Sequence, residues 1–569
     1  MRRFVAPAAR PTSPSPPSAG PLPLPRKRRR GQSCHSLSTP GGGEGRGEAG
    51  GTPTFASFFI ALVLAFLSIL PAAAAPPGVL IVGQTAEPKS LDPHTVTALN
   101  DFRIAANLYD GLVRYRDGTL EIEPALAESW TVSEDGTVYT FHLRPGITFH
   151  DGTAFDAEAV AFNFRRMLEA DHPYHDTGPF PLAHFFAAIR EIEVVDPLTV
   201  RFRLDAPFAP LLSNLAYPTG FMVSPAAVRK WGKSYGRHPA GTGPFRFTTW
   251  DSGIRVVLER NDGYWDGAPA LDAVVFRPIY DANTRVTELL AGGIDLVVGI
   301  PPDVIPILRD RADFMVHEQA GPHLWFLILN MREAPFSDRR MRLAVNYAID
   351  RRALVEKVLQ GTATVATGPV PRAFGWAYDT ALDPYPYDPE KARALINEAG
   401  YAGEEIVFAV TQGGSGMLDP VAMATAIQAD LAAVGLDVAI ESFEWNTYLA
   451  RVNRGLEGQA AMAEMAWMTN DPDTLPYLAL RSAAFPEEGG FNSGYYANPE
   501  VDRLVEAARR TTDRNERARL YKAIQRIVHE DAPWAVIASW KQNAVTRAGV
   551  RGFRLQPSFL LRFEGVSKE

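Results

Sequence analysis

The stretch that most restricts how this chain can fold is Pro124 to Phe164, PALAESWTVSEDGTVYTFHLRPGITFHDGTAFDAEAVAFNF. Trp130 and Val132 precede, and Val138 to Leu143 follow, a Ser-Glu-Asp-Gly-Thr turn. Asp135-Gly136 is a strong hairpin signal, because glycine accepts the positive φ of a tight turn. Beyond it Tyr139, Phe141 and Leu143 alternate with Val138, Thr140 and His142, so one face of the strand is apolar. A second turn, His150-Asp151-Gly152, leads into a predicted helix. Asp156 is placed to cap it and Glu158 sits in its first turn, while Val160, Phe164 and Met167 share one face.

A chain of 569 residues holds more than one domain's worth of sequence, and 46% hydrophobic content allows a large core. The net charge of −8 hides an asymmetry. Residues 1–75 contain nine Lys/Arg against two Asp/Glu, which leaves the remaining 494 residues at −15. An acidic body argues against nucleic acid and anionic membrane as partners. The basic run Arg26 to Arg30 lies in a Pro/Gly/Ser tail ahead of a hydrophobic segment, where it reads as part of a leader. The single cysteine, Cys34, lies in that tail, so the body has no disulfide, no thiolate nucleophile and no cysteine-based metal site. No cysteine follows the hydrophobic segment, which excludes a lipoprotein anchor at that point.

That segment, Phe55 to Leu70, is apolar throughout and runs into Ala72 to Ala75. It reads as a secretory signal peptide, with cleavage after Ala74 satisfying the A-x-A rule. An uncleaved anchor is the alternative, since 16 residues approach the length of a span. Residues 1–54 read as a disordered low-complexity extension and 55–75 as signal core and cleavage region. Both are set aside from the fold.

Downstream, Val79 to Gln84 reads as a first strand and Asp101 to Leu112 as a helix. Thr199 to Leu204 reads as a further strand, and Pro207 to Leu215 and Pro225 to Trp231 as short helices. From Gly241 three strand-like runs (GTGPFRF, RVVLER, AVVFRPI) precede a helix, Thr284 to Ala291, closed by Gly292-Gly293, and an apolar strand, Ile294 to Ile300. Strand–helix–strand alternation marks an α/β layer with parallel strands. In the second half, Asp388-Pro389, Asp419-Pro420 and Asn498-Pro499 each supply a cap and a proline at the first helical position. The middle one is expected to turn Ala422, Ala426, Ala429 and Leu431 inward. Strands Ile406 to Val410 and Val438 to Phe443 alternate with these helices. Two α/β regions joined by crossing segments enclose a cleft, and open sheets bind ligands at the carboxyl ends of their strands.

The Pro124–Phe164 block resembles the signature of the family 5 extracellular solute-binding proteins, the substrate-binding components of peptide, dipeptide and nickel ABC importers. In family order follow GTGPFRF (Gly241 to Phe247), NDGYWDGAP (Asn261 to Pro269) and LILNMREAPFSDRRMRLAVNYAIDR (Leu327 to Arg351). YDPEKARALINEAGY (Tyr387 to Tyr401), FEWNTYL (Phe443 to Leu449), NDPDTL (Asn470 to Leu475) and the APW ending at Trp534 complete the set. The likeness runs over about residues 79–559 and is greatest to dipeptide and oligopeptide binders. It implies an α/β fold: a two-lobed type II periplasmic-binding-protein clamshell with an extra β-rich subdomain. On it, lobe I comprises 76–112, 236–325 and a return at 537–569, the inserted subdomain 113–235, and lobe II 326–536. It further implies a periplasmic, monomeric receptor that binds a short or modified peptide and delivers it to ABC permease subunits, with no cofactor. A nickel-chelate or opine-like solute is the alternative within the fold.

A peptide offers a cationic amine, a carboxylate and a backbone that pairs like a strand, so its receptor needs an acid, a donor and exposed backbone groups. Trp467, at the end of an apolar strand, is a candidate wall of the cleft. Asp471 follows it where relatives place an aspartate that takes the ligand's amine, although this loop is two residues shorter. Trp445 matches a family aromatic near the pocket. Gln412, Gly413 and Gly414 form a loop between strand and helix whose amides suit a carboxylate or carbonyl. Asn492 and Tyr495 lie in a third pocket loop by resemblance, and Thr85 and Ala86 form the lip from lobe I. Dipeptide binders carry an arginine near the Gln412 loop to hold the peptide carboxylate. This chain has no Lys or Arg between Arg393 and Arg451, which weighs against a strict dipeptide ligand.

No enzyme motif is complete. Gly413-Gly414-Ser415-Gly416 lacks the final glycine of a nucleophile elbow, Gly232-Lys233-Ser234 lacks the upstream glycine of a phosphate loop, and H-E-x-x-H is absent. His172 and His175 read as a surface loop rather than a metal site. A hydrolase using the acids around Asp471, and a tethered chaperone-like binder, remain as rival classes.

Overall fold

The computed structural model describes residues 76–569 apart from Ser415. All of them fall in one compact unit, Leu70–Glu569. The expected low-complexity extension, the signal segment with its cleavage site, and Cys34 lie outside the described residues.

The strand that organises the rest is the fourteen-residue Trp534–Arg547. Its first part pairs antiparallel with His323–Leu329, placing Trp534 opposite Ile328 and Val536 opposite Phe326. Its last part pairs with Phe314–Ala320 and Leu296–Val298. One strand thus belongs to two sheet regions. On one side the sheet continues through Val79–Gln84, Ala273–Pro278, Arg255–Arg260 and Phe245–Asp251. On the other it continues through His323–Leu329, Met462–Met468, Ile406–Thr411 and Val438–Phe443. These are the two lobes of the clamshell. Val79–Gln84 runs parallel to both Ala273–Pro278 and Leu296–Val298, and Ile406–Thr411 runs parallel to Val438–Phe443 and Met462–Met468. Such pairing is what strand–helix–strand crossovers produce.

The second crossing between lobes is Ala320 to His323, where Phe314–Ala320 gives way to His323–Leu329. It is drawn tight by Gly321: a Cβ there would lie 2.2 Å from the Phe559 ring. Inserted into the N-terminal lobe is a four-stranded antiparallel sheet of Ala127–Val132, Val138–Leu143, Thr199–Leu204 and Ile189–Asp196. Tyr139, Phe141 and Leu143 point into its core, and helix Ala157–Leu168 covers it. Asp156 caps that helix by accepting from the Ala159 N–H.

The motif GTGPFRF and the aromatic pair in NDGYWDG meet at one buried acid. Asp110 accepts from Thr242 Oγ1 at 2.9 Å, Tyr264 OH at 3.0 Å and Trp265 Nε1 at 3.1 Å. The helix expected to reach Leu112 is Leu99–Leu108. Tyr109 turns extended beyond it, which frees Asp110 for this knot.

The helix after Asp419 is Pro420–Ala433, but Asp419 makes no side-chain cap and sits at φ +43°. Its inward face is Met423, Ala424, Ile427 and Leu431, with Ala422 and Ala426 half-buried and Ala429 exposed. The larger side chains set the helix rotation, since each buries more apolar area than an alanine. Asp388 and Asn498 do cap their helices, Pro389–Ala399 and Pro499–Arg510.

Candidate functional site

The lobes meet through contacts made by helix residues of one and loop residues of the other. Ser213 Oγ, in helix Leu211–Ala216 of the inserted subdomain, donates to Asp471 Oδ2 at 2.7 Å. Asn470 Nδ2 donates to Asn214 Oδ1 at 2.6 Å. The Ala209 N–H donates to the Arg509 carbonyl at 2.8 Å, and Arg514 pairs with Glu121 at 2.8 Å. The subdomain of one lobe is therefore bonded directly to the other.

Asp471 is buried, and it is already occupied. Arg517 Nη2 lies 2.7 Å from its Oδ1, and the Asp473 N–H also donates to that oxygen. Burial alone would favour the neutral guanidine, but Asp471 beside it holds Arg517 firmly protonated. Arg517, Ser213 and a backbone amide thus already donate to Asp471, the residue expected from the family pattern to take the ligand's amine. Asp473 pairs with Arg509 at 2.5 Å; its own burial still raises it to about 6.

Asn492 and Tyr495 are likewise turned away from a ligand role. Asn492 Nδ2 donates to the carbonyls of Arg481 and Tyr496 and its Oδ1 accepts the Tyr496 N–H, so it holds a loop. Tyr495 is buried beside Phe485 under the Arg332 guanidinium. Both are the residues expected by resemblance to belong to a pocket loop. The side chains are buried because backbone carbonyls and the arginine claim them, which sequence spacing does not reveal.

The remaining candidates keep accessible surface at strand ends. Trp467 is half-buried with its ring edge-on to Phe491 at 5.4 Å. Gln412 and Gly414 are exposed and Gly413 is half-buried, in the loop that ends strand Ile406–Thr411. Trp445 opens helix Trp445–Val452 and lies against Gly414, where a Cβ would come within 2.3 Å of the indole. Gln412, Gly413, Gly414 and Trp445 thus form one patch. Its mouth is tied to the hinge by His323, whose Nε2 lies 2.8 Å from the Gly416 carbonyl and whose Nδ1 accepts the Trp540 N–H at 3.0 Å. These two bonds require the neutral Nε2–H tautomer, and burial lowers the imidazole to about 4. On the other lobe Thr85 and Ala86 follow strand Val79–Gln84 at its carboxyl end, and Thr85 Oγ1 donates to Asn100 Oδ1 at 3.0 Å.

Sequence reasoning missed Arg517, Ser213, His323, Glu464 and Arg103. Glu464 is fully buried in the middle of strand Met462–Met468. One oxygen accepts the Thr411 N–H and the other has no partner among the described residues. Burial raises it to about 8. An acid inside the apolar run MAEMAWM was the available signal. For Arg517 no signal existed, because it is one of several arginines on an amphipathic helix.

Residues 121–486 match the family described as bacterial extracellular solute-binding proteins, family 5. The chain belongs to that family. It is 34% identical to a di/tripeptide-binding protein of Pseudomonas aeruginosa over 532 residues, 90% of this chain and 99% of that one. It is also 34% identical to a glutathione-binding protein of Pectobacterium atrosepticum, over 88% of this chain and 96% of the other. Among solved structures, the periplasmic binding protein DppA of Helicobacter pylori in complex with the peptide STSA is similar at a TM-score of 0.70. Identity to it is 32%, with 86% of this chain and 98% of that one covered. The family comprises transport binding proteins.

Proposed function

We propose that this protein is the periplasmic binding component of an ABC importer, and that it grips a short or modified peptide between its lobes and releases it unaltered to the permease. The observation that carries the reading is the two-lobed fold, its lobes joined by Ser213–Asp471, in a chain similar over nearly its whole length to di/tripeptide and glutathione binders. Trp467 and Trp445 supply apolar walls, Gln412 to Gly414 supply loop backbone, and Thr85 and Ala86 supply the opposing lip. Ligand contacts made by both lobes at once stabilise the closed state, and that differential affinity is the mechanism.

The protein acts as a monomer without a cofactor and performs no chemistry on its ligand. Native mass spectrometry of protein purified from its own host is expected to show a retained peptide mass. Isothermal titration with a di- to tetrapeptide library should show binding, and chromatography of the library afterwards should show it intact. Hydrolysed products would replace this reading with the peptidase one. Absence of any peptide binding would leave the solute to another chemical class.

A further inference from the structure

The N-terminal lobe contains a buried cation that no acid among the described residues neutralises. Arg103 lies in helix Leu99–Leu108 and is 4% exposed. Among the described residues it makes no ion pair, and its one hydrogen bond runs from Nε to the Phe559 carbonyl at 3.3 Å. The charged group that acts on it is another cation, Arg285. Together with burial this lowers Arg103 to about 9. Arg285 is itself turned to the carbonyls of Ile279, Tyr280 and Gly299, so it brings no anion to the site. A guanidinium taken out of water without a partner is costly and is rare unless something arrives to pair with it.

Two further side chains sit on the same face of the same sheet with polar atoms unmet. Gln84 is fully buried, and neither its Nε2 nor its Oε1 has a partner among the described residues. Gln542 is 2% exposed with its Oε1 unpartnered. The register fixes their placement. Val82 and Ala544 belong to the core cluster that contains Phe102 and Ile104 of the Arg103 helix, and Gln84 and Gln542 lie two residues along the same strands. Alternation along a strand returns their side chains to that helix-covered face. The position is the cleft end of the lobe. Gln84 is the last residue of its strand, before Thr85 and Ala86. Gln542 is two residues beyond Trp540, which meets the Phe559 ring edge-on at 5.0 Å. The Phe559 carbonyl that orients Arg103 therefore belongs to a residue packed against the hinge.

We infer that Arg103, with the side-chain amides of Gln84 and Gln542, forms an anion subsite in the N-terminal lobe that receives a carboxylate of the bound peptide. A guanidinium fork and primary amides are all donors suited to a planar carboxylate. The subsite also accounts for the missing cation near the Gln412 loop: the charge lies on the opposite jaw. The inference rests on the peptide reading above, and the test separates the two.

The probes are three sets of di- to tetrapeptides: free C termini, amidated C termini, and amidated C termini with a glutamate side chain. Calorimetry of the wild type is expected to show about 30-fold or more weaker binding of the plain amidated set. Arg103→Gln should abolish that preference and Arg103→Lys should restore part of it. Rescue of affinity by the glutamate side chain would assign the subsite to a side-chain carboxylate, and no rescue would assign it to the terminus; both outcomes support the subsite. Gln84→Met is the second variant. It should weaken free-terminus peptides about tenfold while raising the melting temperature, since it removes unpaired buried polar atoms. Equal binding of all three sets by the wild type, or an undiminished free-terminus preference in Arg103→Gln or Gln84→Met, would overturn the subsite and leave the peptide reading standing. No binding of any set would overturn both.

Discussion

Two buried charges, one in each lobe, are treated in opposite ways. Asp471, in the C-terminal lobe, has Arg517, the Ser213 hydroxyl and a backbone amide on its oxygens. Among the described residues Arg103, in the N-terminal lobe, has one long hydrogen bond to a carbonyl and no acid. A charge that is fully paired inside the protein contributes to holding the fold and the closed state. A charge that is left unpaired is a cost to the fold, and a ligand that pairs it recovers that cost. The paired charge thus stands where the family pattern points to a ligand contact, and the unpaired one, which we infer meets a ligand, where the pattern is silent.

The largest effect expected is from Arg517→Met, which strands Asp471 in the closed interface. Loss of about 3–5 kcal/mol is expected in urea unfolding. A loss below 1 kcal/mol would show that Asp471 is not held by this pair and would reopen it as a ligand group.

The next concerns Glu464, an acid of the same lobe with no cationic partner among the described residues. Its folded pKa is raised, so its contribution to stability is fully present below about 4.5. It is lost as pH rises toward about 8, because the unfolded chain ionises first. At pH 7 the cost is about 3 kcal/mol. Glu464→Gln should remove this slope, making the variant more stable than the parent at pH 8 and nearly equal at pH 4.5. Identical pH profiles would mean that Glu464 is not held neutral.

Arg103→Met should behave opposite to Arg517→Met. Ligand-free stability is expected to stay level or to rise by about 1 kcal/mol, because a cation without a partner is replaced by an apolar side chain of similar length. Destabilisation as large as that of Arg517→Met would erase the distinction between the two charges. The smallest effect is that of Ser213→Ala, about 1 kcal/mol or less, since Asp471 keeps its arginine. It should appear as a modest shift toward the open form in small-angle scattering, with little change in the unfolding of either lobe.

Much of the fold was legible because local chemistry and the tertiary structure agree. The Asp135-Gly136 hairpin, the Asp156, Asp388 and Asn498 caps and the strand Val79–Gln84 all stand where their own residues put them. The Asp419 helix shows the limit. Its start was visible from Pro420, but its rotation was decided by where Met423 and Ile427 could be buried. At the candidate site the aromatic and glycine positions could be named from strand ends and loops. Which polar groups were still available could not, because Asn492 is consumed by the carbonyls of Arg481 and Tyr496.

The sequence by itself determined the family, the alternation of strands and helices, and the acidic body without cysteine beyond residue 75. All of these follow from order and composition along the chain. Only the tertiary structure decided which charges are paired. Arg517 meets Asp471 across 46 residues, Ser213 meets it across 258, and Arg103 is oriented by a carbonyl 456 residues away. Pairing of charges is a property of distance in space, and no local pattern records which of many arginines will find a carboxylate and which will be left for a ligand.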